Sequence, residues 1–274
     1  MSENYNNMIS NIAKELEILA VRPHSLGLRN NGLTGISLFF FHYARFTEDE
    51  RYVELANDSI EKVVSHAPRC MSYHFAPEFA DIGRTVEYLV NEKFIEIETD
   101  EFAGYFEEPL MHHLREDIGV NFGICTGISG ICNFFLDKEN NQEALDITTG
   151  HIYSGLRVKG YPKHPVRPLF LFPSEILRDV KLFFLKLEKM NIIIPQKELL
   201  EQSIRRLESQ KILHSNCDEY YILQDLREAE ILEDNPKIQS VLEKIAENSS
   251  DLIFKGLAAL SLENNSLPAW WKLI

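Results

Sequence analysis

The sequence predicts an all-α domain that is built from repeated helical hairpins. Apolar residues recur at the spacing of a helix face along most of the chain, whereas strand-like alternation is weak. Helices that are apolar on almost every side alternate with amphipathic helices. The apolar helices begin about 40–50 residues apart, which is a period typical of helical repeat arrays. Each hairpin in such an array buries its apolar face by stacking on its neighbours.

The elements follow in a regular order. A first helix is predicted over 4–21, and Pro23 ends it because proline cannot continue a helix. A buried helix over 31–43 and an amphipathic helix over 51–64 form the first hairpin, with a capping turn at 47–50. The same alternation predicts 79–90 with 100–115, 127–136 with 141–156, 174–189 with 196–209, 220–231 with 236–248, and a last inner helix over 252–262.

Length and charge restrict the classes of function. The 274 residues suit one large domain over 1–274, with 45% hydrophobic and 26% charged residues. The net charge of -14 argues against nucleic acid and anionic membranes as partners. The N-terminal residues lack the basic and apolar regions of a secretory signal, and no transmembrane segment is predicted, so we expect a cytoplasmic protein.

Glycines mark the starts of two apolar helices. Gly32 and Gly35 frame the first, and Gly127 and Gly130 frame the second. Glycine inside a helix costs about 1 kcal/mol relative to alanine, so its repeated use indicates a close approach of backbones. This pattern resembles the lanthionine synthetase C (LanC) family, whose α/α toroid has Gly-x-x-Gly at the starts of its inner helices. The resemblance implies an α/α toroid with inner helices around a central cavity.

The resemblance extends over most of the chain. Residues 31–60 are similar to the family's first complete repeat, and residues 120–136 are similar to a later one. In the repeat between them, Glu78 and Asp81 replace the framing glycines. The segment around Gly256 resembles the family's closing segment. The resemblance predicts that these helix starts line the central cavity.

The family forms thioether rings in ribosomally made peptides. A cysteine thiol of the precursor adds to a dehydrated serine or threonine, and this addition needs a thiolate. Family members generate the thiolate with zinc, which two cysteines and one histidine hold with one position open for substrate. A further histidine handles the enolate proton. The resemblance therefore implies a precursor peptide, or other proteins of peptide maturation, as partners.

The sequence departs from the family at the zinc ligands. Leu171 stands where the first ligand cysteine is expected, and Leu213 stands where the second is expected. His214 is the surviving candidate ligand, and Thr126 replaces the acid/base histidine. Leucine cannot bind a metal, and one histidine makes a poor zinc site. We therefore expect no cofactor and assign no catalytic residue, with His214 and Thr126 kept as candidates.

Other residues could rebuild a metal or catalytic site. Cys217 follows His214 by three residues, Cys125 lies at the start of an inner helix, and His74 could complete a set of two cysteines and two histidines. The competing interpretation is that Cys125 and Cys132 are thiols of the core.

Three functions remain open at this stage. The first is a zinc-less peptide-binding or partner subunit with a degenerate active site. The second is an active cyclase that forms the thioether C–S bond in a rearranged site. The third is an α/α-toroid carbohydrate-active enzyme, which would need paired carboxylates from among Glu78, Asp81, Glu175 and Asp218.

Overall fold

The fold is all-helical, as the sequence predicts. The computed structural model describes residues 2–67, 75–116, 122–124, 127–138, 141–158, 174–194, 197–208, 218–264 and 267–273, and no strand occurs in these ranges. None of the helices described there combines the length and the apolar content that crossing a lipid bilayer requires.

The helices follow the predicted order, and most of their bounds lie within a few residues of the predicted ones. The predicted helix over 100–115 is interrupted by a π-helical turn, Ala103–Glu107, between α5 and α6. A 3₁₀ turn, Trp270–Leu273, follows the last helix. The helices are α1 (Ser2–Val21), α2 (Leu33–Thr47), α3 (Glu50–His66), α4 (Ala76–Asn91), α5 (Thr99–Phe102), α6 (Glu108–Glu116), α7 (Ile128–Phe135), α8 (Asn141–Val158), α9 (Ser174–Lys189), α10 (Lys197–Glu208), α11 (Asp218–Ile231), α12 (Asn235–Asn248) and α13 (Leu252–Glu263).

The first hairpin shows the division into buried and peripheral helices that the sequence predicts. Every residue of α2 from Leu33 to Ala44 is buried. In α3 the buried residues are confined to one face, which includes Ala56, Ile60 and Val63. The Asp49 carboxylate caps α3 by accepting a hydrogen bond from the backbone N–H of Arg51. Buried apolar side chains from α1 to the C-terminal turn form one continuous cluster.

Helix packing connects the two ends of the chain. Helix α2 packs against α4, α4 against α7, α7 against α9, and α9 against α11. Helix α12 packs against α11 and α13, and α13 packs against both α1 and α2. Helices α3 and α8 pack against the helices that precede them in sequence. The last long helix therefore contacts the first two.

Hydrogen bonds at the start of α13 join it to the loop before α2. The Asp251 carboxylate accepts the backbone N–H groups of Ile253 and of Asn30, at 2.9 and 2.7 Å. The backbone N–H of Leu252 donates to the Asn31 side-chain oxygen at 2.9 Å. Asn30 and Asn31 both have a φ of 55°, a left-handed conformation that asparagine tolerates better than most residues. The bonds from Leu252 and Ile253 satisfy N–H groups that have no partner within α13, and the bond from Asn30 ties the loop to the same carboxylate.

We expect Asp251→Ala to lower the free energy of unfolding by about 2–3 kcal/mol, because it removes the cap of α13 from a buried side chain and also the acceptor of the Asn30 N–H. Urea denaturation followed by circular dichroism measures the loss. Asp234→Ala is the matched control, since Asp234 caps α12 from an exposed position through the N–H of Lys237. The control should cost about 1 kcal/mol or less. Equal losses would contradict a role for Asp251 in joining the chain ends.

The two Gly-x-x-Gly helix starts share a hydrogen-bond pattern. Gly32 and Gly127 are the residues that precede α2 and α7, and both have extended backbones. Two residues after Gly32, the Thr34 hydroxyl donates to the carbonyl of Leu26 at 2.5 Å. Two residues after Gly127, the Ser129 hydroxyl donates to the carbonyl of Phe122 at 2.6 Å. In each case the helix start is bonded to the segment that precedes it.

The second glycine of each motif is required by close packing against that same segment. A Cβ atom on Gly35 would overlap the carbonyl oxygen of Leu28, and a Cβ on Gly130 would overlap the carbonyl oxygen of Ile124. The close approach that the sequence predicts therefore occurs between each helix and its own preceding segment. For Gly35, the added Cβ would also come within 2.5 Å of the Ile253 side chain on α13.

We expect Gly130→Ala to lower the free energy of unfolding by about 2–4 kcal/mol, because the obstructing atom is a backbone oxygen that cannot rotate away. The control is Gly150→Ala in α8, where a Cβ meets no atom within 4 Å. The control should raise stability by about 0.5–1 kcal/mol through helix propensity. Melting temperatures of the two variants test the difference, and a Gly130→Ala protein as stable as the parent would refute the packing argument.

Candidate functional site

A buried carboxylate on α9 organises the polar centre of the molecule. Asp179 is fully buried. Its carboxylate accepts hydrogen bonds from the Ile124 backbone N–H at 2.8 Å and from the Tyr220 hydroxyl at 2.5 Å. It also accepts from the Gln224 amide at 2.9 Å and from the Arg227 guanidinium at 3.2 Å. Such a set of donors offsets the cost of removing the charge from water. One carboxylate thereby joins α9, α11 and the segment before α7.

A second buried carboxylate lies on α4. Asp81 forms ion pairs with Arg29 Nε at 3.8 Å and with Arg84 Nη1 at 3.7 Å. Burial raises the pKa of Asp81, while the charges of Arg29, Arg84 and Arg227 act to lower that pKa. The Arg227 guanidinium therefore interacts with both buried carboxylates, directly with Asp179 and through its field with Asp81.

A small pocket that is open to solvent lies beside this network. Helices α4, α7, α9 and α11 contribute to its wall together with the C-terminal turn. Its apolar wall includes Leu182, Phe183, Ile231 and Trp271. Its polar lining is predominantly cationic, in contrast to the net charge of -14 of the whole chain. The polar lining residues are Arg84, Asn133, Lys186, Arg227, Glu230 and Lys272.

The C-terminal turn closes one side of this pocket. Trp270 is buried, and its indole N–H donates to the Ser261 hydroxyl at 2.9 Å. Its ring stacks on Phe254 with the centroids 5.9 Å apart. The Arg84 guanidinium donates to the backbone carbonyl of Lys272 at 2.7 Å. These contacts hold the turn against the core, which places Trp271 in the pocket wall.

Lys186 contributes an ammonium group to the pocket lining. Its Nζ donates to the Asn133 side-chain oxygen at 2.6 Å. The pKa of Lys186 is lowered to about 8, mainly by burial and also by the charges of Arg84 and Arg227, while the carboxylates of Asp137 and Glu230 oppose the shift. At neutral pH the ammonium is therefore mainly protonated, although its surroundings disfavour the charge.

The residues predicted to mark inner-helix starts have mainly packing roles in the described part of the chain. Gly256 lies in the second turn of α13, where a Cβ would come within 2.5 Å of the Phe39 ring on α2. Glu78 lies in the first turn of α4, against Gly27. Burial raises the pKa of Glu78, a hydrogen bond from the backbone of Gly27 lowers it, and the charge of Asp81 raises it. The residues that line the pocket in the described ranges do not include these positions.

The candidate metal and catalytic residues fall outside the described part of the chain. These are His214, Cys217, Cys125 and Thr126, together with His74, Leu171 and Leu213. The side chains of Glu175 and Asp218, two of the four carboxylates considered for sugar chemistry, also lie outside it. Within the described ranges, no group of three His, Cys, Asp or Glu side chains is arranged to hold a metal ion.

Cys132 is a thiol of the core, which confirms one part of the sequence interpretation. The residue is fully buried on α7. Burial raises the pKa of its thiol to about 12, and the Thr148 hydroxyl and the charge of Lys186 offset only part of this rise. A thiol with this pKa is a poor nucleophile at neutral pH.

The polar centre was not predicted from the sequence, although a helical-wheel signal for it exists. On α9, Asp179 and Lys186 lie seven residues apart, on the same face as Leu182 and Phe183. On α11, the polar residues Tyr220, Gln224 and Arg227 recur at the same helical spacing. Charged residues on a face that should be apolar are therefore the signal that marks the site.

Comparison with known proteins adds no further constraint. No family model matches the chain, and a search of curated proteins finds no significant match.

We expect Asp179→Asn to lower the free energy of unfolding by about 3 kcal/mol or more, because it removes the buried ion pair between Asp179 and Arg227. Chemical denaturation gives the value. Asp225→Asn on the partly exposed rim of α11 is the control, since Asp225 pairs with Arg178 where water screens the charges. The control should cost about 1 kcal/mol or less. Similar losses in both variants would show that Asp179 does not organise the centre.

Proposed function

We propose that the chain is a LanC-like protein of ribosomal peptide maturation, and that it acts as a peptide-binding or partner subunit without catalytic zinc. The resemblance carried by the Gly-x-x-Gly helix starts supports the family assignment. The leucines at both expected cysteine-ligand positions support the loss of zinc. The proposal retains an α/α toroid as the scaffold on which the peptide binds.

The order of helix packing supports a toroid. The inner helices pack in sequence order from α2 through α4, α7 and α9 to α11. Helix α13 packs against α2, and the bonds between Asp251 and the loop before α2 reinforce this contact. A hairpin array whose last member packs on its first has the topology of a closed ring.

The observation that carries the proposed function is the pocket itself. It lies among four inner helices, and it combines aromatic and aliphatic walls with several charged groups. Ligand sites in proteins commonly have this composition, because apolar walls contribute affinity while a few polar groups fix orientation. A peptide side chain or terminus, which carries both kinds of group, matches such a site.

An active, zinc-free cyclase is the second candidate, and the cations of the pocket favour it. Positive charge next to a thiol lowers its pKa and increases the thiolate fraction. Lys186, Arg84 and Arg227 could stabilise the thiolate of a substrate cysteine in this way. The carbohydrate-active alternative has less support, because Asp81 is paired with two arginines and Glu78 packs against a backbone glycine.

We expect the protein to bind a synthetic peptide that contains one cysteine and one dehydroalanine without consuming the free thiol above the uncatalysed background. The parent peptide with serine in place of dehydroalanine should bind equally, because the proposed subunit recognises the peptide and not the reaction. Binding is measured by tryptophan fluorescence, since Trp271 lines the pocket. Thiol content and peptide mass are followed in the same mixture.

Trp271→Phe is the control for the optical signal, because it leaves the buried Trp270 as the remaining tryptophan. Loss of free thiol at unchanged peptide mass would favour the cyclase instead. Failure of both peptides to bind at millimolar concentration would overturn peptide binding. Metal analysis of protein purified without chelator should give far less than one zinc per chain, and a stoichiometric zinc content would overturn the zinc-less assignment.

A further inference from the structure

The pocket lining is mainly cationic, although the chain as a whole is acidic. Four cationic side chains line the pocket, and one carboxylate, Glu230, accompanies them. Like charges in a poorly solvated space repel one another, so this arrangement is unfavourable in the absence of a counter-charge. The buried carboxylates of Asp81 and Asp179 balance two of the cations. Lys186 and Lys272 face only Glu230 within the lining.

The two guanidinium groups are held in fixed positions. The Arg84 side chain is 10% exposed, and it is anchored by Asp81 at 3.7 Å and by the carbonyl of Lys272 at 2.7 Å. The Arg227 side chain is 8% exposed and is anchored by Asp179 at 3.2 Å. Groups that are already ordered lose little conformational freedom when a ligand arrives. Helices α4 and α11 thus each present a pre-organised guanidinium group to the pocket.

Lys186 on α9 is the third cation of the pocket beside Arg84 and Arg227. Its ammonium can donate three hydrogen bonds, and Asn133 is the acceptor that the described residues provide. An amide oxygen carries no net charge, so this bond does not neutralise the ammonium. The repulsion from Arg84 and Arg227 would be relieved by an anion placed between the three cations.

We propose that this pocket binds a carboxylate that is attached to an apolar group, and that Lys186, Arg84 and Arg227 bind the carboxylate. The apolar part would lie against Phe183, Ile231 and Trp271, which line the same pocket. Arginine suits this role because its planar group matches the two oxygens of a carboxylate. Glu230 in the lining disfavours a more highly charged anion such as phosphate.

Two sources can supply this chemistry. One is a free N-acylated amino acid or a similar small organic acid. The other is the C-terminal carboxylate of a peptide, in which case the inference rests on the proposed function. In both sources the charged group and the apolar side chain are separated by a single carbon, so both groups can contact neighbouring parts of one lining.

The first experiment measures binding of N-acetyl-leucine, N-acetyl-leucinamide and inorganic phosphate to the full chain by calorimetry and by Trp271 fluorescence. The acid should bind saturably, and the amide should bind at least about tenfold more weakly because it lacks the charge. Phosphate should compete poorly. Equal binding of acid and amide would overturn the proposal, and so would tighter binding of phosphate.

Variants then test the role of Lys186. Lys186→Met should weaken N-acetyl-leucine binding by about tenfold or more, because it removes a charged hydrogen-bond donor. Lys189→Met removes an exposed lysine from the same helix, and it should leave the affinity unchanged. Circular dichroism confirms folding in each case. Unchanged affinity in folded Lys186→Met would refute the assignment.

The pH dependence gives a test that does not require the Met variant to fold. The protonated ammonium is the binding form, so affinity should fall as pH rises through the Lys186 pKa of about 8. The other charged groups that act on Lys186 are Arg84, Arg227, Glu230 and Asp137. Lys186→Arg should abolish this fall. A wild-type affinity that stays constant from pH 7 to pH 10 would contradict the proposal.

Binding of peptides distinguishes a small organic acid from a peptide C-terminus as the natural ligand, and it tests the carboxylate site separately from the proposed peptide function. The parent peptide is compared with a free and with an amidated C-terminus. Tighter binding of the free acid supports a peptide terminus in the pocket. Equal binding of both forms would support the peptide function but overturn the carboxylate site for peptides. Binding of N-acetyl-leucine without binding of either peptide would support the site and overturn the peptide function.

Discussion

The hydrogen-bonded ion pair between Asp179 and Arg227 is the constraint on which the centre of the molecule depends. A buried carboxylate costs several kcal/mol in lost hydration, and this cost is recovered only when its acceptor positions are filled. Here the donors come from α11 and from the backbone before α7, while the carboxylate itself lies on α9. Apolar packing tolerates small shifts between helices, but these directional bonds do not. The pair thus fixes how three segments meet, and it also fixes the position of a guanidinium at the pocket wall.

The two Gly-x-x-Gly motifs constrain the packing at the starts of α2 and α7. At Gly35 and Gly130, a backbone carbonyl occupies the space that a side chain would need. Each helix start is therefore pressed against the segment that leads into it, and a threonine or serine hydroxyl bonds to that segment. The helical penalty of glycine is offset by these contacts. Two helices that are far apart in sequence thereby begin in the same way, which is how a repeat maintains its geometry.

The positions of the helices could be predicted from the sequence, but the position of the pocket could not. Helix positions depend on local periodicity and on breakers such as Pro23, and both can be read from one segment at a time. The pocket depends on which faces of α4, α7, α9 and α11 meet, and this is a property of long-range packing. The glycine motifs and the family resemblance indicate residues such as Gly256, which packs against Phe39. They do not indicate the cations that line the pocket, because single charged residues on amphipathic helices usually face solvent.

The need to neutralise buried carboxylates explains the positions of two cations in the pocket but not of the other two. Arg84 and Arg227 each have a buried carboxylate as partner, so their positions follow from the need to balance Asp81 and Asp179. Lys186 has no ion pair of this kind, because its hydrogen bond is to a neutral amide, and the charges of Asp137 and Glu230 act on it together with the repulsion from two arginines. A methionine of similar length could fill the same space without the cost of burying a charge. An ammonium in that position lowers the stability of the empty pocket, and a bound anion would reverse this effect. The excess of positive charge is therefore best understood as part of a binding site and not as part of the core.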